Sequence, residues 1–228
     1  MSIKNTITII AFLLPSFFSA AQSSDMGDWF IYFGHHKFSK HWGLWTEGQY
    51  RNYNLLGDTE QLLARTALTY DFTNTTAQAS MGYAFVRTGS YVPGKNEKRY
   101  FNEHRIYQQL LTTQRFGRLY IGHRYRVEER FLPDDFKMRF RYFLSMNLML
   151  NKPSREPGAL YLSAYDEIFL NDLEPVFDRN RLYGALGYVF RPQVRGEFGL
   201  MYQMFENRRR PQWQLVLFQN LDFSKQAD

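Results

Sequence analysis

Arginine and glutamate recur at every second position over several stretches of this chain. The clearest are Glu103-His104-Arg105, His123-Arg124-Tyr125-Arg126-Val127-Glu128-Glu129-Arg130 and Arg139-Phe140-Arg141. A guanidinium offers a rigid planar fork of N–H donors that matches carboxylate, sulfate and phosphate oxygens. At a spacing of two, such side chains share one face of a β-strand. Parity along the chain gathers Glu47, Arg51, Arg65, Glu103, Arg105, Arg124, Arg126, Glu128, Arg130, Arg139, Arg141, Glu167, Arg181, Glu197 and Gln203 on such a face. Two chemistries are open to it. The excess of Arg over Glu would draw in small anions, or the two signs would interleave as an ion-pair ladder that fills and stiffens an enclosed space. The set expected to carry either role is Glu47, Arg51, Glu103, Arg105, Arg124, Arg126, Glu128, Arg130, Arg139, Arg141, Glu167 and Arg181. Hairpin connectivity is expected to put Glu103 and Arg105 beside the Arg126–Glu128 region, and Arg130 near Arg139.

Other chemistry has thinner support. The chain has no Cys, which rules out a thiolate nucleophile, a disulfide framework and an acylated lipoprotein cysteine. His104 and His123 fall on the face opposite the arginines, with no Ser beside either. A lipid-modifying enzyme would need a histidine and a nucleophile within hydrogen-bond reach, so no catalytic residue is assigned. His35, His36 and His41 lie near one turn, but a metal needs three or four converging ligands, and neither a metal nor a cofactor is expected. Asp134, Asp135, Asp172, Glu174 and Asp178 read as acids of solvated loops.

The elements that position these residues follow from periodicity. Eleven segments alternate with period two: 28–37, 42–53, 61–71, 77–88, 100–112, 118–130, 138–150, 159–170, 180–190, 195–206 and 212–223. In 138–150 the apolar row is Met138, Phe140, Tyr142, Leu144, Met146, Leu148 and Leu150, set against Arg139, Arg141, Ser145 and Asn147. A soluble barrel or sandwich would turn the apolar rows inward; a membrane barrel turns them to lipid and the charged rows to its lumen. Composition favours the second. Aromatics reach 18% while mean hydropathy is -0.47, a combination that suits a barrel apolar outside and polar within. Segment length also suits tilted membrane strands. Tyr50, Tyr53, Tyr70, Phe72, Phe85, Tyr91, Tyr100 and Phe223 stand near segment ends, where interfacial aromatic girdles belong. The fold expected is all-β, a transmembrane antiparallel up-and-down β-barrel of ten to twelve strands. Twelve is favoured, because an even count brings both termini to one side. Connections near 38–41, 72–76, 113–117 and 191–195 read as short turns, and those near 54–60, 89–99, 131–137, 171–179 and 207–211 as longer loops.

Residues 1–21 read as a secretory signal: Lys4, the apolar run from Ile7 to Phe18, then Ser19-Ala20-Ala21. The run is too short for a membrane-spanning helix. Residues 22–228 then form one barrel domain in the outer membrane of a Gram-negative bacterium. The net charge of +6 by itself would allow nucleic acid as a partner, but the export signal argues against it. The partners expected are outer-membrane lipid and lipopolysaccharide, the barrel-assembly machinery and a small anionic solute.

Several pieces also resemble a known family. They are Trp29, Trp42-Gly43-Leu44-Trp45-Thr46-Glu47-Gly48-Gln49-Tyr50-Arg51, Gly82-Tyr83 and Glu103-His104-Arg105-Ile106-Tyr107-Gln108-Gln109. The run His123 to Arg130, Arg139-Phe140-Arg141-Tyr142, Tyr165-Asp166-Glu167-Ile168-Phe169 and Asn180-Arg181-Leu182-Tyr183 complete the set. Over about residues 28–222 the chain is similar to the bacterial family called domain of unknown function 2490. That resemblance implies an outer-membrane barrel and supplies no activity and no catalytic residues.

Overall fold

The computed structural model describes residues 26–224; the expected leader, 1–21, lies outside them. Eleven strands follow in order: β1 (Gly27–Lys37), β2 (Trp42–Asn52), β3 (Thr59–Asp71), β4 (Ala77–Tyr91), β5 (Lys98–Phe116), β6 (Leu119–Leu132), β7 (Asp135–Met149), β8 (Leu160–Asn171), β9 (Phe177–Arg191), β10 (Val194–Met204) and β11 (Arg209–Asp222). Each pairs with the next in sequence, and β1 pairs with β11 to close a barrel. The count is eleven, within the expected range and one below the favoured twelve.

An odd count has a geometric consequence. Strands that alternate up and down leave the first and the eleventh running the same way. Closure therefore requires one parallel pair, and β1 with β11 is that pair; the other ten are antiparallel. Like positions then stand abreast along the seam: Trp29 with Gln214, Ile31 with Val216, and Phe33 with Phe218. The described chain begins at one end of the barrel and finishes at the other.

The connections correct the expected contrast between short turns and long loops. Strand pairing continues into three of the segments read as loops, with Tyr91 paired to Lys98, Leu132 to Asp135, and Leu170 to Phe177. Backbone groups keep their partners as far as pairing continues, in the β8–β9 case past a register shift between Phe169 and Leu170. The β6–β7 connection shrinks to residues 133–134, whereas the longest connection is 150–159, between β7 and β8. Gly117, at φ 59°, allows β5 and β6 to be joined by two residues.

Side-chain direction follows the pleat. In β9, Arg181, Tyr183 and Val189 are buried while Leu182, Leu186, Tyr188 and Phe190 are exposed on the outer surface. The same division runs around the barrel, with Met81 62%, Phe198 57% and Leu182 53% exposed outside and Glu128 0% exposed inside. Exposed aromatics stand at both rims, Phe38, Trp42, Phe72, Phe116 and Phe190 at one and Tyr91, Tyr100, Phe131 and Phe136 at the other, and also in mid-wall at Tyr83, Tyr125, Phe140 and Phe198. Phe85 departs from the rim expected for it and stands mid-strand in β4, packed on His104 at 5.4 Å.

Candidate functional site: an arginine-rich barrel interior

Glu128, on β6, is the most surrounded carboxylate. Arg139 Nη2 and Arg141 Nη1 each donate to it at 2.5 Å, and Arg126 Nη1 lies 3.4 Å away. Arg65 and Arg105 complete the ring at 3.7 and 3.9 Å. Register explains the convergence. Glu128 stands opposite Arg139 on β7, Arg126 and Arg141 form the next inward pair, and Arg65 reaches across from β3. Four of the five cations also reach a second acid, Arg65 to Glu47, Arg105 to Glu103, Arg139 to Asp178 and Arg141 to Glu167, whereas Arg126 has Glu128 alone among the described carboxylates.

The other acids repeat the pattern. Glu167 takes Arg124 at 2.6 Å, Arg141 at 2.5 Å and Arg181 at 3.7 Å. Glu103 takes Arg130 at 2.5 Å and Arg105 at 2.8 Å. Glu47 accepts Arg65 at 2.8 Å, and Glu197 accepts Arg195 at 2.8 Å. Glu103 is thus the partner of Arg130 rather than of the Arg126 region. The β5–β6 register sets Arg105 opposite Arg130 and Gln109 opposite Arg126, about four residues from the pairing expected from the turn alone. Hairpin arithmetic misplaced the pairing because β5 runs on to Phe116 and the turn occupies only residues 117–118.

Amides and rings hold the remaining arginines. Arg51 donates to Gln61 Oε1 at 2.6 Å and to Gln49 Oε1 at 2.8 Å, and its guanidinium lies 3.8 Å over the Trp29 ring. Among the described residues it has no carboxylate within salt-bridge distance. Arg126 donates to Gln109 Oε1 and stacks on Tyr107 at 4.6 Å. Arg181 donates to Gln203 Oε1 at 2.8 Å and faces Trp29 at 4.9 Å. These contacts hold a guanidinium without cancelling its charge. Tyr107 can lie flat because Gly82 is beneath it: a Cβ at Gly82 would fall 2.7 Å from the ring.

All twelve expected residues point inward. Eleven of them line a cavity of ≈ 670 Å³, and Glu128 is buried behind its arginines. Thirteen arginines and five glutamates line that cavity. Several members lay outside the expected set. Asp178, read as a loop acid, joins at 3.0 Å from Arg139 because β9 starts earlier than its periodicity suggested. Gln49, Gln61 and Gln109 had no signal beyond inward parity. At one mouth Tyr53 lies between Lys98 and Arg210, and burial together with Glu60 raises its phenol above the usual range.

The interior is not polar throughout. Trp29, Ile31, Tyr183, Met201 and Val216 form a buried cluster, joined by Phe33, Tyr165 and Phe218. It centres on the parallel seam and reaches Tyr183 on β9 and Tyr165 on β8, so it interleaves with the Arg–Glu network, which runs from β2 to β10 and meets it where Arg51 and Arg181 lie over Trp29. The uniform rule of lipid outside and polar lumen inside fails here, because period two identifies a strand's two faces but not what an inward apolar side chain meets.

The histidines do not form a catalytic group. His104 shares a hydrogen bond with the Tyr83 phenol at 2.5 Å, and His123 with Tyr142 at 2.9 Å, both on the outer wall. Thr112 is the β5 residue opposite His123, so the two histidines stand roughly 26 Å apart along the strands. His35, His36 and His41 bond instead to Thr69, Thr46 and the Asp71 carbonyl.

Fold and interior together define a closed, odd-stranded β-barrel with a cationic core. The chain belongs to the family described as Protein of unknown function (DUF2490), which matches residues 26–214. No curated protein and no solved structure matches it.

Proposed function

We propose that this protein is an outer-membrane β-barrel whose interior binds or passes small anionic solutes. One observation carries the solute reading: thirteen arginines line a cavity of ≈ 670 Å³ and are met by seven carboxylates, the five lining glutamates together with Glu128 and Asp178 behind the wall. Buried charge demands a counter-charge, and where the protein does not supply one, a ligand anion can. Membrane placement is supported by the outer wall. Exposed Leu, Met, Phe and Tyr side chains encircle the barrel, far more than the scattered apolar patches that a soluble surface tolerates. The rims of aromatics fit interfacial girdles, and the expected lipid, lipopolysaccharide and assembly-machinery partners belong to this placement.

The test is a reversal potential in planar bilayers under a potassium chloride gradient, paired with anion-binding titrations. Chloride preference, or saturable anion binding without conductance, is the expected outcome. Cation preference, or neither conductance nor anion binding, would overturn the reading. A second reading is favoured by Glu128, fully buried among five arginines. In it the network is a strut that rigidifies a plugged barrel. Neutralising Glu103 together with Arg130 would then impair folding and leave permeability unchanged.

A further inference from the structure

The seam brings together donors that lack acceptors. Trp29 on β1 stands opposite Arg51 on β2 and opposite Gln214 on β11. Trp29 is 3% exposed and Gln214 1%, and both line the cavity. Yet Trp29 Nε1 and Gln214 Nε2 have no hydrogen-bond partner. Buried donors are normally satisfied, so an unmade pair beside a cavity calls for an explanation. Arg51 and Arg181 both face the same indole, at 3.8 and 4.9 Å. The carboxylate nearest to either is Glu167, 3.7 Å from Arg181 and already shared with Arg124 and Arg141. This corner therefore holds two under-neutralised cations and two unused N–H donors, and its chemistry is that of an oxyanion receptor.

What continues from the corner narrows the ligand. Parallel pairing places Ile31 beside Val216 and Phe33 beside Phe218, all four lining the cavity. The apolar strip starts at Trp29 and runs for roughly 13 Å along the strands, to the point where the Arg195 guanidinium lies 3.4 Å over the Phe218 ring. An inorganic anion would use the corner and leave the strip untouched. We infer that the interior takes an amphipathic carboxylate, its carboxyl group at Trp29, Arg51, Arg181 and Gln214, and its apolar body along the seam. This deepens the anion reading above and rests on it.

The experiment uses the whole chain in nanodiscs, titrated calorimetrically with 4-phenylbutyrate, its uncharged amide and inorganic phosphate, with empty nanodiscs as the blank. Saturable 4-phenylbutyrate binding is expected, with the amide and phosphate each at least about tenfold weaker. Arg51→Gln with Arg181→Gln should weaken it about tenfold or more. Trp29→Phe, which keeps an aromatic ring at the seam and deletes the N–H donor, should weaken it about threefold to tenfold. Circular dichroism of each variant checks that the barrel is intact; if the double variant misfolds, Trp29→Phe alone decides. Phosphate binding as tightly as 4-phenylbutyrate, or Trp29→Phe leaving affinity unchanged, overturns the amphipathic site and spares the anion reading. Equal binding of acid and amide, or phosphate binding alone, likewise overturns only the amphipathic site; failure of both anions to bind, in a barrel that also shows no chloride preference, overturns both readings.

Discussion

Trp29 of the first strand and Gln214 of the last stand abreast across a parallel pair, the seam at which this eleven-stranded barrel closes. Because the two strands run the same way, cross-linking can read the register directly. The chain has no native Cys to interfere. Phe30→Cys combined with Leu215→Cys, an outward-facing partner pair, should form a disulfide on mild oxidation. Phe30→Cys with Leu221→Cys should not, since Leu221 pairs with His36. Non-reducing electrophoresis distinguishes the two, and the reverse pattern would replace the parallel seam by another closure.

Glu128 answers to five arginines, so its loss leaves the largest uncompensated charge. Glu128→Gln is expected to destabilise the barrel by about 3–5 kcal/mol, the usual result of removing one member of a buried ion pair. Urea unfolding in detergent or lipid measures it. A change within about 0.5 kcal/mol would mean that the arginines find water or counter-ions and that the hub is not structural.

Glu103 is shared by Arg105 on its own strand and Arg130 on β6. A double-mutant cycle with Glu103→Gln and Arg130→Gln should give a coupling energy of about 0.5–3 kcal/mol. The cycle of Glu103→Gln with Arg126→Gln should be close to additive, because Arg126 is held by Gln109 and Glu128. Strong coupling in the second cycle would refute the β5–β6 register.

The outer wall separates a lipid-facing barrel from a soluble one. Leu182 and Leu186 lie in the middle of β9 and face outward. If that surface meets acyl chains, Leu186→Arg should cost about 2–4 kcal/mol in bilayer unfolding measurements. In a water-facing barrel the same change would cost almost nothing, or improve solubility.

Gly82 makes room for Tyr107, which in turn supports Arg65 at 5.2 Å and Arg126 at 4.6 Å. Gly82→Val should displace the ring and both guanidinium groups, costing about 1–3 kcal/mol as overpacking usually does. Tyr107→Phe should be tolerated far better, since its phenol makes only a long 3.5 Å contact to the Thr66 carbonyl. Thermal unfolding of the two variants, compared side by side, checks this order.

Local alternation was enough to place all eleven strands, their two faces and the inward direction of Glu47, Arg65, Glu128, Arg141, Glu167 and Arg181. That information is carried by a period of two, which any strand writes into its own residues. The connections at 89–99 and 171–179 were less legible, because strands extend wherever a partner continues and the partner's length is not a local property. Asp178 was hidden for that reason.

The sequence by itself determined the strands, the division of charge from apolar side chains and the excess of arginine. Only the tertiary structure decided which arginine meets which acid, that the closure is parallel, and that Trp29, Arg51, Arg181 and Gln214 share one corner. Those relations join residues as many as 185 positions apart, from Trp29 to Gln214. Register across a closed sheet is a collective property of all its pairings, and no single strand encodes it.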